Sequence, residues 1–271
     1  MDAGAWWWFF AGMNLPLSPR IRATGAPPIP AVRGWAARYQ GGAGPVLDLT
    51  QAVPGYPPHP DLLARLAAAA GDAKAAGYGP IEGEAALREA LAADMVRAYG
   101  GRLDAADIAI TAGGNLAFTL SMMTLAGSGE AVMLPAPWYF NHRMALEALG
   151  IPCRVLPCRA EDGFLPDPAL AASLMEGVRA IVLVTPNNPT GATYSPELIA
   201  QFAKLCWDRG AWLVLDETYR DFIPEAAGAL RARPGRDGWP GPRPIAEADK
   251  HGGSILGWTK FGWLKFRWSD E

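Results

Sequence analysis

From residue 108 onward, short apolar runs alternate with stretches whose apolar residues recur at helical spacing. Ile108–Thr111 reads as a strand and Gly113–Leu125 as a helix. The same pair repeats three times: Ala131–Leu134 then Asn141–Leu149, Cys153–Leu156 then Pro168–Glu176, Ala180–Val184 then Ser195–Arg209. Ala211–Leu215 closes the series as a strand. Ala180–Val184 and Ala211–Leu215 are apolar at every position, the mark of a strand covered on both faces. Ser195 stands where a helix N-cap belongs, and Glu197 follows in the first turn. Upstream, a helix starts at Pro60, and Leu87, Leu91 and Met95 mark another over Gly83–Tyr99 with Gly100 as its stop. Strand–helix alternation predicts an α/β fold of three layers, a mainly parallel sheet with helices on both faces.

The pattern is weaker at both ends. Residues 1–12 hold the run Trp6-Trp7-Trp8-Phe9-Phe10, far short of the roughly 20 apolar residues of a membrane helix. They read as a mis-assigned start or a disordered extension. Residues 13–58 read as a proline-rich N-terminal arm with a short helix near Ala31–Tyr39, and 59–228 as the main domain. Residues 229–271 lose the alternation and read as a divergent, irregular tail.

Composition narrows the function classes. Half of the 271 residues are hydrophobic, enough for a substantial core, and a net charge of −3 gives no field for nucleic acid. The 31 glycines and 25 prolines follow no fixed period, which excludes collagen. Cys153, Cys158 and Cys206 have neither disulfide nor zinc spacing and read as thiols in a reducing cytoplasm; no metal and no membrane partner is expected.

In parallel sheets, ligands collect at the carboxyl ends of the strands. Four clusters fall there: Thr111-Ala112-Gly113-Gly114-Asn115, Pro137-Trp138-Tyr139, Asn187-Asn188-Pro189-Thr190-Gly191 and Asp216-Glu217-Thr218-Tyr219. The first opens a helix, whose N-terminal N–H groups suit a phosphate. A carboxylate at the end of an apolar strand, Asp216, needs a cationic or strongly donating partner. Each cluster alone is also explained by a plain turn, by packing or by a structural partner.

Together, in this order and at these spacings, the clusters resemble the fold-type I aminotransferases that use pyridoxal 5′-phosphate (PLP). Tyr78-Gly79-Pro80-Ile81-Glu82-Gly83 is similar to an element that precedes the family's phosphate turn. The resemblance runs from about Met13 to Phe222 and makes 59–228 a partial PLP-transferase large domain. It implies that Gly113, Gly114 and Asn115 hold the phosphate and that Tyr139, preferred to Trp138, stacks on the pyridine ring. Asn188 and Tyr219 would bond the ring oxygen, and Asp216 would pair with the protonated ring nitrogen. Tyr78 would reach the phosphate of a neighbouring subunit in a homodimer, and Gln51–Pro54 would approach the substrate carboxylate. Substrates would be an amino acid and a 2-oxo acid, in amino acid metabolism and biosynthesis.

The family carries PLP as a Schiff base on a lysine in a Ser-x-Ser-Lys element. Lys250, Lys260 and Lys265 all lack that context, and Lys260 in Trp258-Thr259-Lys260-Phe261-Gly262 is the nearest candidate. The family's C-terminal small domain has no counterpart, so the chain is expected to be truncated or to leave the family pattern near residues 224–228. The sheet is then expected to lack its last strands and to leave an apolar edge exposed. Three readings stay open at this point: an aminotransferase, a non-catalytic PLP-binding or scaffold remnant of the same fold, and a nucleotide-binding α/β protein.

Overall fold

The structure, a computed structural model, describes residues 17–223 except 49, 52–54, 100–102 and 128, and the segments 255–258 and 263–264. Helices α1 (Pro19–Ala23), α2 (Ile29–Ala36), α3 (Pro60–Gly71) and α4 (Ala85–Tyr99) come first. They are followed by β1 (Ala109–Ile110), α5 (Gly114–Leu125), β2 (Ala131–Ala136), α6 (Phe140–Leu149) and β3 (Cys153–Pro157). Next come α7 (Pro168–Ser173), β4 (Val178–Val184), α8 (Pro196–Asp208) and β5 (Trp212–Asp216). The last described elements are β6 (Ile255–Trp258) and β7 (Trp263–Leu264).

Five strands form one parallel sheet in the order β3-β2-β4-β5-β6. Side chains alternate across it, because successive residues of a strand point to opposite faces. Ala180 and Val182 of β4, Val132 and Leu134 of β2, and Val214 of β5 join the core beneath α4, α5 and α6. Ile181 and Leu183, Ala131 and Met133, and Leu213 join a second core with Phe202 and Ile199 of α8 and Ala171 of α7. This is the three-layer arrangement that the alternation predicts.

Local chemistry sets the ends of the helices. Ser195 caps α8, its Oγ accepting from the Leu198 N–H at 3.2 Å, as its sequence position predicts. Asp167 caps α7 in the same manner through Ala169. Gly150 ends α6 in the left-handed region at φ +73°, which a glycine adopts without strain.

Two expectations differ from the structure. The stretch after Phe222 was expected to leave the sheet without its last strands, yet β6 pairs in parallel with β5, and β7 pairs antiparallel with β1. Ser254-Ile255-Leu256-Gly257-Trp258 is too short and too glycine-interrupted to stand out as a strand by itself; the open edge of β5 supplies its ladder of backbone partners. The N-terminal arm also holds one more helix than expected, α1, whose Arg20 donates to the Leu149 carbonyl at 3.1 Å. Residues 1–12 and most of 229–271, Lys260 included, lie outside the described residues.

The Tyr78–Gly83 segment is fastened to β1. The Ile110 N–H donates to the Glu82 carbonyl at 2.8 Å, and Arg88 Nε donates to the Gly83 carbonyl at 3.1 Å. Gly83 has φ +95°, and a Cβ there would lie 2.7 Å from Ile110 Cβ. Gly83→Ala is therefore expected to lower stability by about 2 kcal/mol or more through overpacking and backbone strain, read as a lower urea midpoint.

Candidate active site

The carboxyl ends of β4 and β5 and the N-terminus of α5 surround one pocket. Its lining is Gly114, Asn115, Tyr139, Val184, Asn188, Asp216, Thr218 and Tyr219. The cavity measures about 150 Å³, the size at which an engineered cavity of about 150 Å³ admits a benzene ring.

Gly113 is the N-cap of α5 at φ +92°, and no side chain caps the helix. A side chain would have room there but would be strained in that backbone conformation. The first N–H groups of α5 therefore face the pocket without the side-chain acceptor that α7 and α8 possess, and an anion is the natural partner for them.

Asp216 lines the same pocket. It is only 4% exposed. Its Oδ1 accepts from the Thr218 N–H at 3.0 Å and from Thr218 Oγ1 at 2.7 Å, and its Oδ2 lies 3.2 Å from His142 Nε2. Burial pushes the Asp216 carboxyl up, but the His142 bond and charge and the two Thr218 donors outweigh it and hold it below its ordinary value. Asp216 is thus kept as the carboxylate, and a carboxylate has about four acceptor positions. Three are filled, which leaves capacity for one more donor from the pocket it lines.

His142 is buried, stacked on Phe118 at 4.1 Å and set edge-on to Tyr139 at 5.2 Å. Tyr139 lines the pocket, whereas Trp138 packs on the first core beneath Arg143. Tyr219 is hydrogen-bonded to Asn188, and its hydroxyl is pushed up chiefly by burial and by the neighbouring Tyr139.

Six of the expected residues thus meet at one pocket: Gly114, Asn115, Tyr139, Asn188, Asp216 and Tyr219, with Gly113 at the turn beneath. Tyr78 is not among them; it is fully exposed. Gln51 is exposed and accepts from Arg33 at 2.6 Å. Ala52–Pro54 and Lys260 lie outside the described residues.

Two contributors escaped the sequence reading. Thr218 had a signal: a hydroxyl two residues after an aspartate is the spacing of a local side-chain turn. His142 had a weaker one, a lone polar residue on the buried side of a helix beginning next to an aromatic cluster.

Among the described residues no helix is long and apolar enough to cross a membrane. The model of the "Aminotransferase class I and II" family matches residues 45–248. The Arabidopsis thaliana "Aromatic aminotransferase ISS1" is 31% identical over 212 residues, 76% of this chain and 52% of that protein. The "Aspartate/prephenate aminotransferase" of Thermus thermophilus is 33% identical over 215 residues, 77% of this chain and 54% of that protein. A solved Thermus thermophilus aspartate aminotransferase single mutant superposes with TM-score 0.75 at 26% identity, over 93% of this chain and 64% of that one. The chain spans about half the length of these curated relatives.

The depressed Asp216 pKa makes a stability prediction. Its contribution is fully present above the unfolded value of about 3.9 and is lost as pH falls through the lower native value. Urea unfolding of the protein and of Asp216→Asn between pH 2 and 7 is expected to show a stability gap that narrows below about pH 4. A gap independent of pH would contradict the geometry. The pocket, the sheet order and the family match agree: this chain belongs to the class I and II aminotransferases, whose members use PLP.

Proposed function

We propose that the pocket binds pyridoxal 5′-phosphate and that the protein moves an amino group between an amino acid and a 2-oxo acid. The observation that carries this reading is the shared pocket itself: an uncapped helix N-terminus and a buried carboxylate line the same cavity of about 150 Å³. The residues fit the cofactor. Gly113, Gly114 and Asn115 would receive the phosphate on backbone N–H groups, with Tyr139 as the platform for the ring. Asn188 and Tyr219 would donate to the ring oxygen. Asp216 would hold a proton on the ring nitrogen, and His142 and Thr218 keep that carboxylate ionised and aimed. When bound, PLP supplies an electron sink for the charge left at the substrate Cα.

Lys260 is the lysine proposed to carry the cofactor. The register supports it. Trp258 at the end of β6 lies opposite Asp216, and Lys260 stands two residues later in the sequence.

The proposed assembly is a cytoplasmic homodimer serving amino acid biosynthesis. Tyr78 and Ile81 are almost fully exposed, and Leu62, Leu63 and Leu66 line α3 with half their surface open. A second copy is the occupant proposed for these exposed apolar side chains, with Tyr78 reaching its partner's phosphate.

The test adds PLP to the purified protein, follows saturable binding, then reduces with borohydride and maps the modified peptide. Fixation at Lys260, lost in Lys260→Ala, is expected. Asp216→Ala is expected to weaken PLP binding about ten- to a hundredfold, the scale of a lost charged hydrogen bond. Reversible binding without fixation at any lysine points to the non-catalytic PLP-binding reading instead. Absence of saturable binding overturns both.

A further inference from the structure

Behind the pocket wall lies a second polar cluster that the proposed chemistry does not use. The chain leaving β5 makes one tight turn, in which the Arg220 N–H donates to the Glu217 carbonyl at 2.9 Å. An i→i+3 turn sets residues three apart on the same side. Asp216 and Tyr219 accordingly share the pocket side, and Glu217 and Arg220 share the side facing α4. There the Tyr99 hydroxyl donates to Glu217 Oε1 at 2.5 Å, and Arg220 Nη2 donates to Asp94 Oδ2 at 2.7 Å. The Arg220 guanidinium is buried 5.8 Å from the centroid of the Tyr99 ring, and its Nε reaches Asp221 at 3.2 Å.

This arrangement is costly unless it is held together. A buried guanidinium and a half-buried carboxylate both lose hydration, and burial raises the Glu217 carboxyl above its ordinary range. Leucine or methionine at these positions would fill the same space without that cost. What the polar pair adds is direction. Two separate hydrogen bonds to one helix fix the rotation of the turn, and a rotation would carry Tyr219 away from the pocket together with its own side of the turn. On the pocket side, Tyr219 is steadied by Asn188 and by the edge of Phe222 at 6.0 Å.

Resting on the reading of the pocket as a PLP site, we infer that Glu217 and Arg220, gripped by Tyr99 and Asp94 of α4, are positioning residues that aim the Tyr219 hydroxyl into the pocket. Helix α4 thereby becomes part of the ligand site without touching the ligand. It begins just after the Tyr78–Gly83 segment, so the same helix links that segment to Tyr219.

The test is a double-mutant cycle on PLP affinity, read by quenching of tryptophan fluorescence, with thermal midpoints measured in parallel. Arg220→Met and Tyr99→Phe are each expected to raise the PLP Kd about three- to tenfold, the scale of one misaligned hydrogen bond. Tyr219→Phe, which costs a similar factor in the parent protein, is expected to add less than twofold in either background, because the hydroxyl it removes is already out of place. The absorption maximum of bound PLP is expected to shift alike in Tyr219→Phe, Tyr99→Phe and Arg220→Met, and to return in Arg220→Lys. A lower thermal midpoint with unchanged Kd, or full additivity of the two substitutions, overturns the inference while leaving the pocket reading intact. If the parent protein does not bind PLP, both fall. Should Arg220→Met fail to fold, Tyr99→Phe, which removes one oxygen and keeps the ring, decides the same question.

Discussion

The structure turns on a single buried carboxylate. Asp216 sits at the end of a strand whose neighbours are apolar on both faces, where an unpaired charge would be intolerable. Three donors from two elements resolve this: the backbone and hydroxyl of Thr218 in the following turn, and His142 on α6. The histidine is in turn fixed by Phe118 on α5 and by Tyr139. One charge therefore organises the chain end of β5, the start of α6 and the body of α5 around the same opening. The glycine turn at Gly113 adds the uncapped amides of α5 to the same pocket.

Much of this was legible in the sequence because it was written in strong local signals. The all-apolar Ala180–Val184 could be little else than a strand covered on both sides, and Ser195-Pro196-Glu197 announced the start of α8. The pocket residues were legible because each sits at the carboxyl end of a strand or the opening of a helix, where the fold class already directs attention. Of the two adjacent aromatics, Tyr139 turns to the opening and Trp138 to the core.

What escaped depends on contacts distant along the chain. His142 becomes a partner of Asp216 only when α6 packs beside β5, and no local pattern encodes that. Arg220 carries no local signal of its burial; the ring of Tyr99 and the carboxylate of Asp94 that cover it lie on a helix far upstream. Helix α1 is held by Arg20 capping the end of α6 rather than by its own five residues. The strand β6 escaped for the same reason: its run is short and broken by Gly257, and pairing along β5 supplies what its own sequence lacks.

The pairing of β1 with β7 carries a consequence for how the molecule is made. A ribosome delivers Ala109–Ile110 long before Trp263–Leu264, so β1 must wait for a partner that lies far downstream in the chain. The central strands β2 to β5 can associate in the meantime, since each meets its neighbour soon after emergence. Closure of the outer ribbon is then a late, entropically expensive event. Vectorial synthesis would leave the edge of β5 bare until β6 arrives, so the strand that ends in Asp216 gains its second neighbour only after its ladder with β4 has formed.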